Sequence, residues 1–214
     1  MPTHAVLPAR RRLHRHLFGG GVLMMTGLAA PPALARLVAA HPGLPLALTP
    51  AATAGPFYPP QFAADPTDSL LQGFSAKGEP TSLSGRVVDA QGRAQPGLRI
   101  ELWQCDGASV YHHPAAGSGV ARDPGFKGFG WQHTDASGHY AFQTIRPVPY
   151  PGRTPHIHIL LKRGKQTLLV TQVYLPGEQA RNRRNFLFSR LGATAPLALA
   201  SMNDAALRFD IVLG

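Results

Sequence analysis

Residues 150–161 read Tyr-Pro-Gly-Arg-Thr-Pro-His-Ile-His-Ile-Leu-Leu, and they decide how the rest of the chain is interpreted. The apolar residues that follow the Pro-Gly turn predict a β-strand that enters a core. Successive side chains of a strand alternate between its faces, so His156 and His158 share one face and Ile157 points to the other. Two imidazoles on one face are half of a metal site. A bare His-x-His pair is more often two half-exposed strand histidines, so further ligands must come from elsewhere.

Other segments repeat the strand pattern. Residues 83–89, 98–104, 139–145, 167–174 and 207–213 are short apolar runs, and turns rich in Gly, Pro or Asp lie between several of them. Leu98, Ile100, Leu102 and Gln104 fall on one face of their strand. Glycine (23) and proline (21) are frequent, while charged residues make up only 15%. Together these features predict an all-β fold, a β-sandwich, rather than a helical bundle.

The net charge of +10 is less informative than it first looks. Residues 1–35 hold four arginines and no acid, so the rest of the chain carries +6. The remaining basic residues are scattered and lack the interleaved aromatics of a single-strand binder, so we predict no nucleic-acid partner. The single cysteine, Cys105, excludes an internal disulfide and a thiolate metal cluster. We expect it to be a small buried hydrophobe.

The first 80 residues predict a signal and an arm. Residues 10–12 are three arginines, residues 17–28 are mildly apolar, and Ala33-Leu34-Ala35 is a small-x-small cleavage site. Residues 1–35 are therefore predicted to be a twin-arginine-like signal peptide, whose apolar stretch is too short to remain as a membrane anchor. The mature protein is expected in the periplasm or outside the cell. Residues 36–80 are interpreted as an extended arm, and residues 81–214 as the β-sandwich catalytic domain.

A long loop, from Cys105 to about Gly130, carries Tyr111, His112 and His113. Long loops in compact domains are usually functional or disordered, so this one is a candidate second half of the site. With Tyr150, His156 and His158, it would offer two phenols and two imidazoles. Phenolates need a highly charged ion to deprotonate them at neutral pH, which favours ferric iron over a divalent metal. On chemistry alone this metal assignment stays open.

Several longer runs resemble one enzyme family. They are LSGRVVDAQGRAQPGLRIELWQCDG, VYHH, GFGWQHTDASGHYAFQTIRPVPYPGRTPHIHILL and TQVYLPGE, and the arm adds TAGPFYPP. They are similar to the intradiol ring-cleavage dioxygenases, near the protocatechuate 3,4-dioxygenase branch. The resemblance implies a transthyretin-like sandwich with long active-site loops and an Fe(3+) held by Tyr111, Tyr150, His156 and His158. It also implies catalytic roles for Arg153, Gln172 and Tyr150.

The implied reaction takes a catecholic substrate and O2, cuts the ring between the two hydroxylated carbons and gives a cis,cis-muconate-type product. Two features depart from the family. Only five residues separate Tyr150 from His156, which trims the rim of the pocket and leaves the choice of catechol open. The predicted export is also unusual for these enzymes. The assembly stays undetermined, with a homodimer as one candidate.

Two other classes compete with this interpretation. A non-enzymatic transthyretin-like binding module would use Tyr140 and Phe142 for its core, but it would have no use for the two tyrosines and the His-x-His pair together. A periplasmic zinc hydrolase would combine His156 and His158 with His112 or His113. It would also need a carboxylate general base, for which only Asp106 or Glu178 is available. We expect His112 and His113 to be loop residues rather than ligands.

Overall fold

The computed structural model describes residues 44–72, 75–117, 119 and 121–214. The predicted signal peptide and the first residues of the predicted arm lie outside this part of the chain. The described residues form nine strands: β1 Pro80–Asp89, β2 Arg99–Trp103, β3 Phe129–His133, β4 His139–Ile145, β5 His156–Arg163, β6 Gln166–Tyr174, β7 Ser201–Asn203, β8 Ala206–Arg208 and β9 Ile211–Leu213. Two short α-helices follow β6, α1 Gln179–Arg184 and α2 Phe186–Ser189. Pro114–Ala116 and Gly192–Ala198 are 3-10 helices.

The strands make two sheets. One has the order β4-β1-β8-β7, with β9 also paired to β1, and the other has the order β3-β2-β5-β6. The core lies between them and is built from alternate residues of each strand, such as Leu83 and Phe142 from the first sheet and Ile157 and Ile159 from the second. The predicted all-β sandwich is therefore confirmed. Leu98, Ile100, Leu102 and Gln104 are all buried, as their alternation indicated.

Three elements differ from the sequence-based expectations. The sequence pattern indicates no strand at β3, whose first two residues fall in the long loop, and it indicates neither of the two helices after β6. The run 207–213 is not one strand, because its centre leaves the ladder at Phe209 and Asp210. There the Asp210 carboxylate accepts the backbone N–H of Arg86 at 2.9 Å, and the Phe209 carbonyl accepts the hydroxyl of Tyr140 at 2.6 Å. The Asp210 side chain thus replaces the backbone carbonyl that would accept the Arg86 N–H in a regular ladder. The periodicity of the sequence cannot reveal such a replacement.

Gly85 in β1 allows the backbone at Phe209 to approach β1 closely. A Cβ added to Gly85 would overlap the carbonyl of Phe209, which is backbone and cannot move aside. We expect Gly85→Ala to lower the free energy of unfolding by about 3 kcal/mol, at the upper end for overpacking a core. The matched control is Gly164→Ala, in open space at φ 57°, where only the left-handed backbone costs about 1 kcal/mol. Urea titration of both variants measures the two losses of unfolding free energy. Equal losses would contradict the close approach of the Phe209 backbone to Gly85.

The arm covers the outer face of the β3-β2-β5-β6 sheet. Ala52 donates its backbone N–H to Val170 of β6 at 2.8 Å, and Thr67 exchanges backbone hydrogen bonds with Trp131 of β3. Phe57 and Tyr58 pack there against Trp103 and Leu160. Because the arm covers this face, several outward-facing side chains near the middle of the sheet, such as Glu101, Trp103 and Gln172, are as buried as the core. That is how β5 holds polar residues in a dry environment.

Candidate metal centre and active site

β5 places both histidines on the covered face. His156 pairs with Tyr174 of β6, and His158 lies between Trp103 of β2 and Gln172 of β6. Each histidine is only 2% exposed, while Ile157 between them lies in the central core. The predicted shared face is therefore present, and the half-exposed alternative for the pair is wrong. Covering by the arm and the long loop accounts for the difference.

The two imidazoles converge through their Nε2 atoms, which lie 3.2 Å apart. His156 Nδ1 lies 2.7 Å from the carbonyl oxygen of Thr154, which can only accept, so this nitrogen carries the proton and Nε2 presents a lone pair. Burial lowers the pKa of His156 to about 3, and burial together with His156 holds the pKa of His158 well below its usual range. Both rings are therefore neutral at neutral pH, the state in which imidazole binds metals.

The two tyrosines approach from separate loops. The ring centroid of Tyr111 lies 5.7 Å from that of Tyr150 and 6.2 Å from that of His158, and Tyr150 lies 5.6 Å from His156. Tyr150 belongs to a turn closed by the Arg153 N–H at 2.8 Å and permitted by Gly152, whose φ is 76°. The structure thus brings all four predicted metal ligands together.

The hydroxyl of Tyr111 is buried without a hydrogen-bond partner among the described residues. Buried polar groups are seldom left unpaired, so such an atom needs an explanation. Burial raises the pKa of Tyr111 well above its usual range, and that of Tyr150 is also raised by burial although Arg153 opposes the rise. A highly charged cation would resolve both features, because it would bind the oxygens as phenolates. The donor set therefore fits ferric iron.

Arg153 and Gln172, the two further residues assigned to the site from the sequence, lie beside Tyr150. Arg153 Nη2 donates to Gln172 Oε1 at 2.5 Å, and Nη1 donates to the Tyr150 hydroxyl at 3.2 Å. The Gln172 amide is fixed at both ends, since its Nε2 donates to Thr53 O at 2.9 Å and its Oε1 also accepts from the Tyr174 hydroxyl. Tyr174 was not singled out from the sequence. Its place two residues after Gln172 on one strand face was the signal that could have found it.

Two aromatic rings clamp the ligands, and sequence analysis missed both. Phe57 stacks on Tyr111 with centroids 4.6 Å apart and an interplanar angle of 17°. Trp103 stacks on His158 at 4.8 Å and 9°. Phe57 comes from the Gly-Pro-Phe-Tyr-Pro-Pro stretch of the arm. Through Phe57 the arm restrains the orientation of a candidate ligand.

The parts of a zinc hydrolase are not assembled. Among the described residues, no three His, Cys, Asp or Glu side chains form a group able to hold a metal. His113 Nδ1 accepts the backbone N–H of Ala115, and His112 Nε2 lies 3.4 Å from Asp106. The Asp106 carboxylate accepts three backbone N–H groups of the loop, and Glu178 pairs with Arg181 on the surface. Cys105 is buried as expected, and burial raises the pKa of its thiol to about 12.

Comparison with known proteins identifies one enzyme family. The profile of the dioxygenase family, Dioxygenase_C, matches residues 53–214. The protocatechuate 3,4-dioxygenase beta chain of Burkholderia cepacia is 36% identical over 122 residues, 53% of this chain and 52% of its own length. The hydroxyquinol 1,2-dioxygenase of Corynebacterium glutamicum is 31% identical over 48% of this chain and 38% of its own length. The chain thus spans about half or less of these curated relatives.

Solved structures extend the comparison. The dioxygenase domain of a dioxygenase–carbohydrate-binding fusion protein from the cellulolytic bacterium Streptomyces sp. SirexAA-E is 32% identical, with a TM-score of 0.61 over 78% of this chain and 98% of that one. An intradiol ring-cleavage dioxygenase from Tetranychus urticae shares the fold, with a TM-score of 0.67 at 16% identity. The family match covers most of the chain, and these solved structures share its two-sheet sandwich. The chain belongs to the intradiol ring-cleavage dioxygenase family.

Proposed function

We propose that this protein is an Fe(3+) dioxygenase that cleaves catecholic rings between the two hydroxylated carbons, giving cis,cis-muconate-type products. The observation that carries the proposal is the convergence of two neutral buried imidazoles with two tyrosines. Tyr111 is buried and its hydroxyl has no hydrogen-bond partner among the described residues, while Tyr150 is half-buried. Two imidazoles and two phenolates would give the metal two neutral and two anionic donors. That set matches a trivalent ion better than a divalent one.

Tyr111, Tyr150, His156 and His158 would hold the iron, which when bound supplies a Lewis-acid centre for chelating the catechol and engaging O2. The chain's own residues manage protons and charge. Tyr150, as a phenolate, is placed to accept a proton from a substrate hydroxyl. Arg153 is a permanent cation 3.2 Å from that oxygen and would stabilise negative charge on the ring. Gln172 fixes the guanidinium through a 2.5 Å hydrogen bond.

The regiochemistry tests the proposed function directly. We expect iron-loaded protein to convert catechol, under 18O2, into a labelled muconic acid cleaved between the oxygenated carbons. The measurement is mass spectrometry of the product, with metal-free protein as the control. A yellow semialdehyde, formed by cleavage beside the two hydroxyls, would contradict the assignment of the ligand set.

We also propose that the protein is exported, on the basis of the basic run at residues 10–12 and the small residues Ala33 and Ala35. No helix within the described residues is long and apolar enough to cross a bilayer. The mature chain is expected to begin near Arg36 and to be recovered from the periplasm or the medium. N-terminal sequencing of protein purified from its native cell measures this, and an intact Met1 or Pro2 would contradict it.

A further inference from the structure

A small cavity beside the candidate active site is lined by three arginines and by no acid. Its volume is about 260 Å3, near the lower end of the roughly 300–1,000 Å3 typical of small-molecule pockets. Tyr150 and Arg153 form one wall. The other wall comes from Arg181 and Arg184 of α1 and from Asn185, which directly follows α1.

The helix wall is built onto the active-site turn. The side chain of Asn182, 2% exposed, accepts the hydroxyl of Thr154 at 2.7 Å, and Asn185, 3% exposed, donates to the Gly152 carbonyl at 3.3 Å. These two asparagines are three apart and so occupy one face of this short helical segment. Arg181 and Arg184 are also three apart, and both line the cavity. The buried asparagines therefore fix the backbone of this segment beside the Tyr150 turn, and the exposed side chains of Arg181 and Arg184 extend from it along the cavity.

The three cations are not equally free. Arg153 is occupied by Gln172 and Tyr150. Arg181 forms one exposed ion pair with Glu178 at 3.1 Å, and Arg184 has no ion pair among the described residues. Arginine presents a planar fork that matches a carboxylate. A positive charge next to a substrate site favours anionic substrates over neutral or cationic ones. A neutral catechol would leave this charge unused.

We propose that Arg184, with Arg181, forms a subsite for an anionic substituent of the substrate, so that the enzyme favours catechols carrying a carboxylate over neutral ones. The inference rests on the proposed function, because it concerns the part of the substrate that lies beyond the diol. It assigns specificity to α1, whereas the proposed ring chemistry belongs to the Tyr111, Tyr150, His156 and His158 cluster. Arg181 and Arg184 act on substrate choice and not on ring opening.

The test compares kcat/KM for catechol, 3,4-dihydroxybenzoate and 3-(3,4-dihydroxyphenyl)propanoate on the iron-loaded full chain. We expect the parent to have a higher kcat/KM for one of the two acids than for catechol. The ratio of kcat/KM between the two acids shows whether the subsite takes a carboxylate on the ring or one on a side chain. The double variant Arg181→Gln/Arg184→Gln should lose about tenfold on the preferred acid and less than twofold on catechol. Arg183→Gln is the matched control, because Arg183 is exposed on the same helix but does not line the cavity.

A charge reversal gives a second, independent outcome. Arg184→Glu should lower kcat/KM for the acid further and raise it for 4-(2-aminoethyl)catechol, a cation. Equal losses on the acid and on catechol, or the same loss in Arg183→Gln, would overturn the subsite. If the parent cleaves none of the four substrates, the proposed function itself has failed. In that case, equilibrium binding of 3,4-dihydroxybenzoate and catechol without O2 still tests the subsite. Equal affinity of the parent and the double variant for 3,4-dihydroxybenzoate would overturn it.

Discussion

Replacing Tyr111 with phenylalanine is expected to remove most of the visible colour of iron-loaded protein and to lower its iron content. A phenolate bound to ferric iron gives a charge-transfer band in the visible, so the parent should be wine-red. Tyr111 would remain a ligand throughout turnover, and its loss should lower kcat/KM for catechol by at least about a hundredfold. Absorption spectra and iron analysis measure the first effect, and initial rates measure the second.

Tyr150→Phe should behave differently. Iron and part of the colour should remain, because water can take the vacated position. Catechol binding should weaken, and the rate should fall by about a hundredfold or more, because the base that accepts a substrate proton has gone. Anaerobic catechol titration separates this binding loss from the loss of metal expected in Tyr111→Phe.

Stability separates the metal role of Tyr111 from a structural one. Its hydroxyl is buried without a hydrogen-bond partner in the part of the chain that the structure describes, so removing it should leave the metal-free protein as stable as the parent or slightly more stable. The control is Tyr140→Phe, which loses a 2.6 Å hydrogen bond to Phe209 far along the other sheet. That variant should lose about 1 kcal/mol without changing colour. If Tyr111→Phe and Tyr150→Phe both stay as red and as active as the parent, the ligands lie elsewhere.

Glu101→Ala is expected to destabilise the protein and to loosen the arm. Glu101 is 1% exposed on the outer face of β2, where its carboxylate contacts Arg99 at 2.6 Å and Lys162 at 3.1 Å. It also accepts the hydroxyl of Tyr58 at 2.7 Å, which ties the arm to the sheet. Removing one member of a buried ionic network typically costs about 3–5 kcal/mol. We expect about 3 kcal/mol, the lower end of this range. The Arg99 and Lys162 side chains are 26% and 24% exposed, so water still solvates them when the carboxylate is removed.

The consequence should reach the metal centre. Tyr58 is adjacent to Phe57, whose ring stacks on Tyr111 at 4.6 Å, so a freed arm should shift the visible band of the iron-loaded variant. Glu101→Gln is the control, because it keeps the size and an acceptor for Tyr58, and it should lose less than half as much stability. Urea unfolding and limited proteolysis of the arm measure both variants. An unchanged unfolding midpoint for Glu101→Ala would contradict this account of the arm.

Sequence periodicity was enough for the fold class and for half of the site. The alternation of His156, Ile157 and His158 follows from the pleat of a single strand, so it needs no knowledge of neighbouring chains. Arg153 and Gln172 could be placed near the histidines because the turn and the next strand are close in sequence. The length of its loop made Tyr111 a candidate, and the motifs that resemble the dioxygenases then assigned it as a ligand, because no local pattern brings it to the histidines.

Tertiary structure alone decided the environment that makes these residues reactive. The burial of His156 and His158 depends on the arm and the long loop, which cover a sheet face that alternation leaves free to be solvated. The Tyr58–Glu101–Lys162 network, the Phe57 stack and the helices carrying Arg181 and Arg184 join segments distant in sequence. Such contacts follow from how the chain closes in space. Strand alternation is a local property of the sequence, whereas desolvation and pairing are set by the partners that folding brings together.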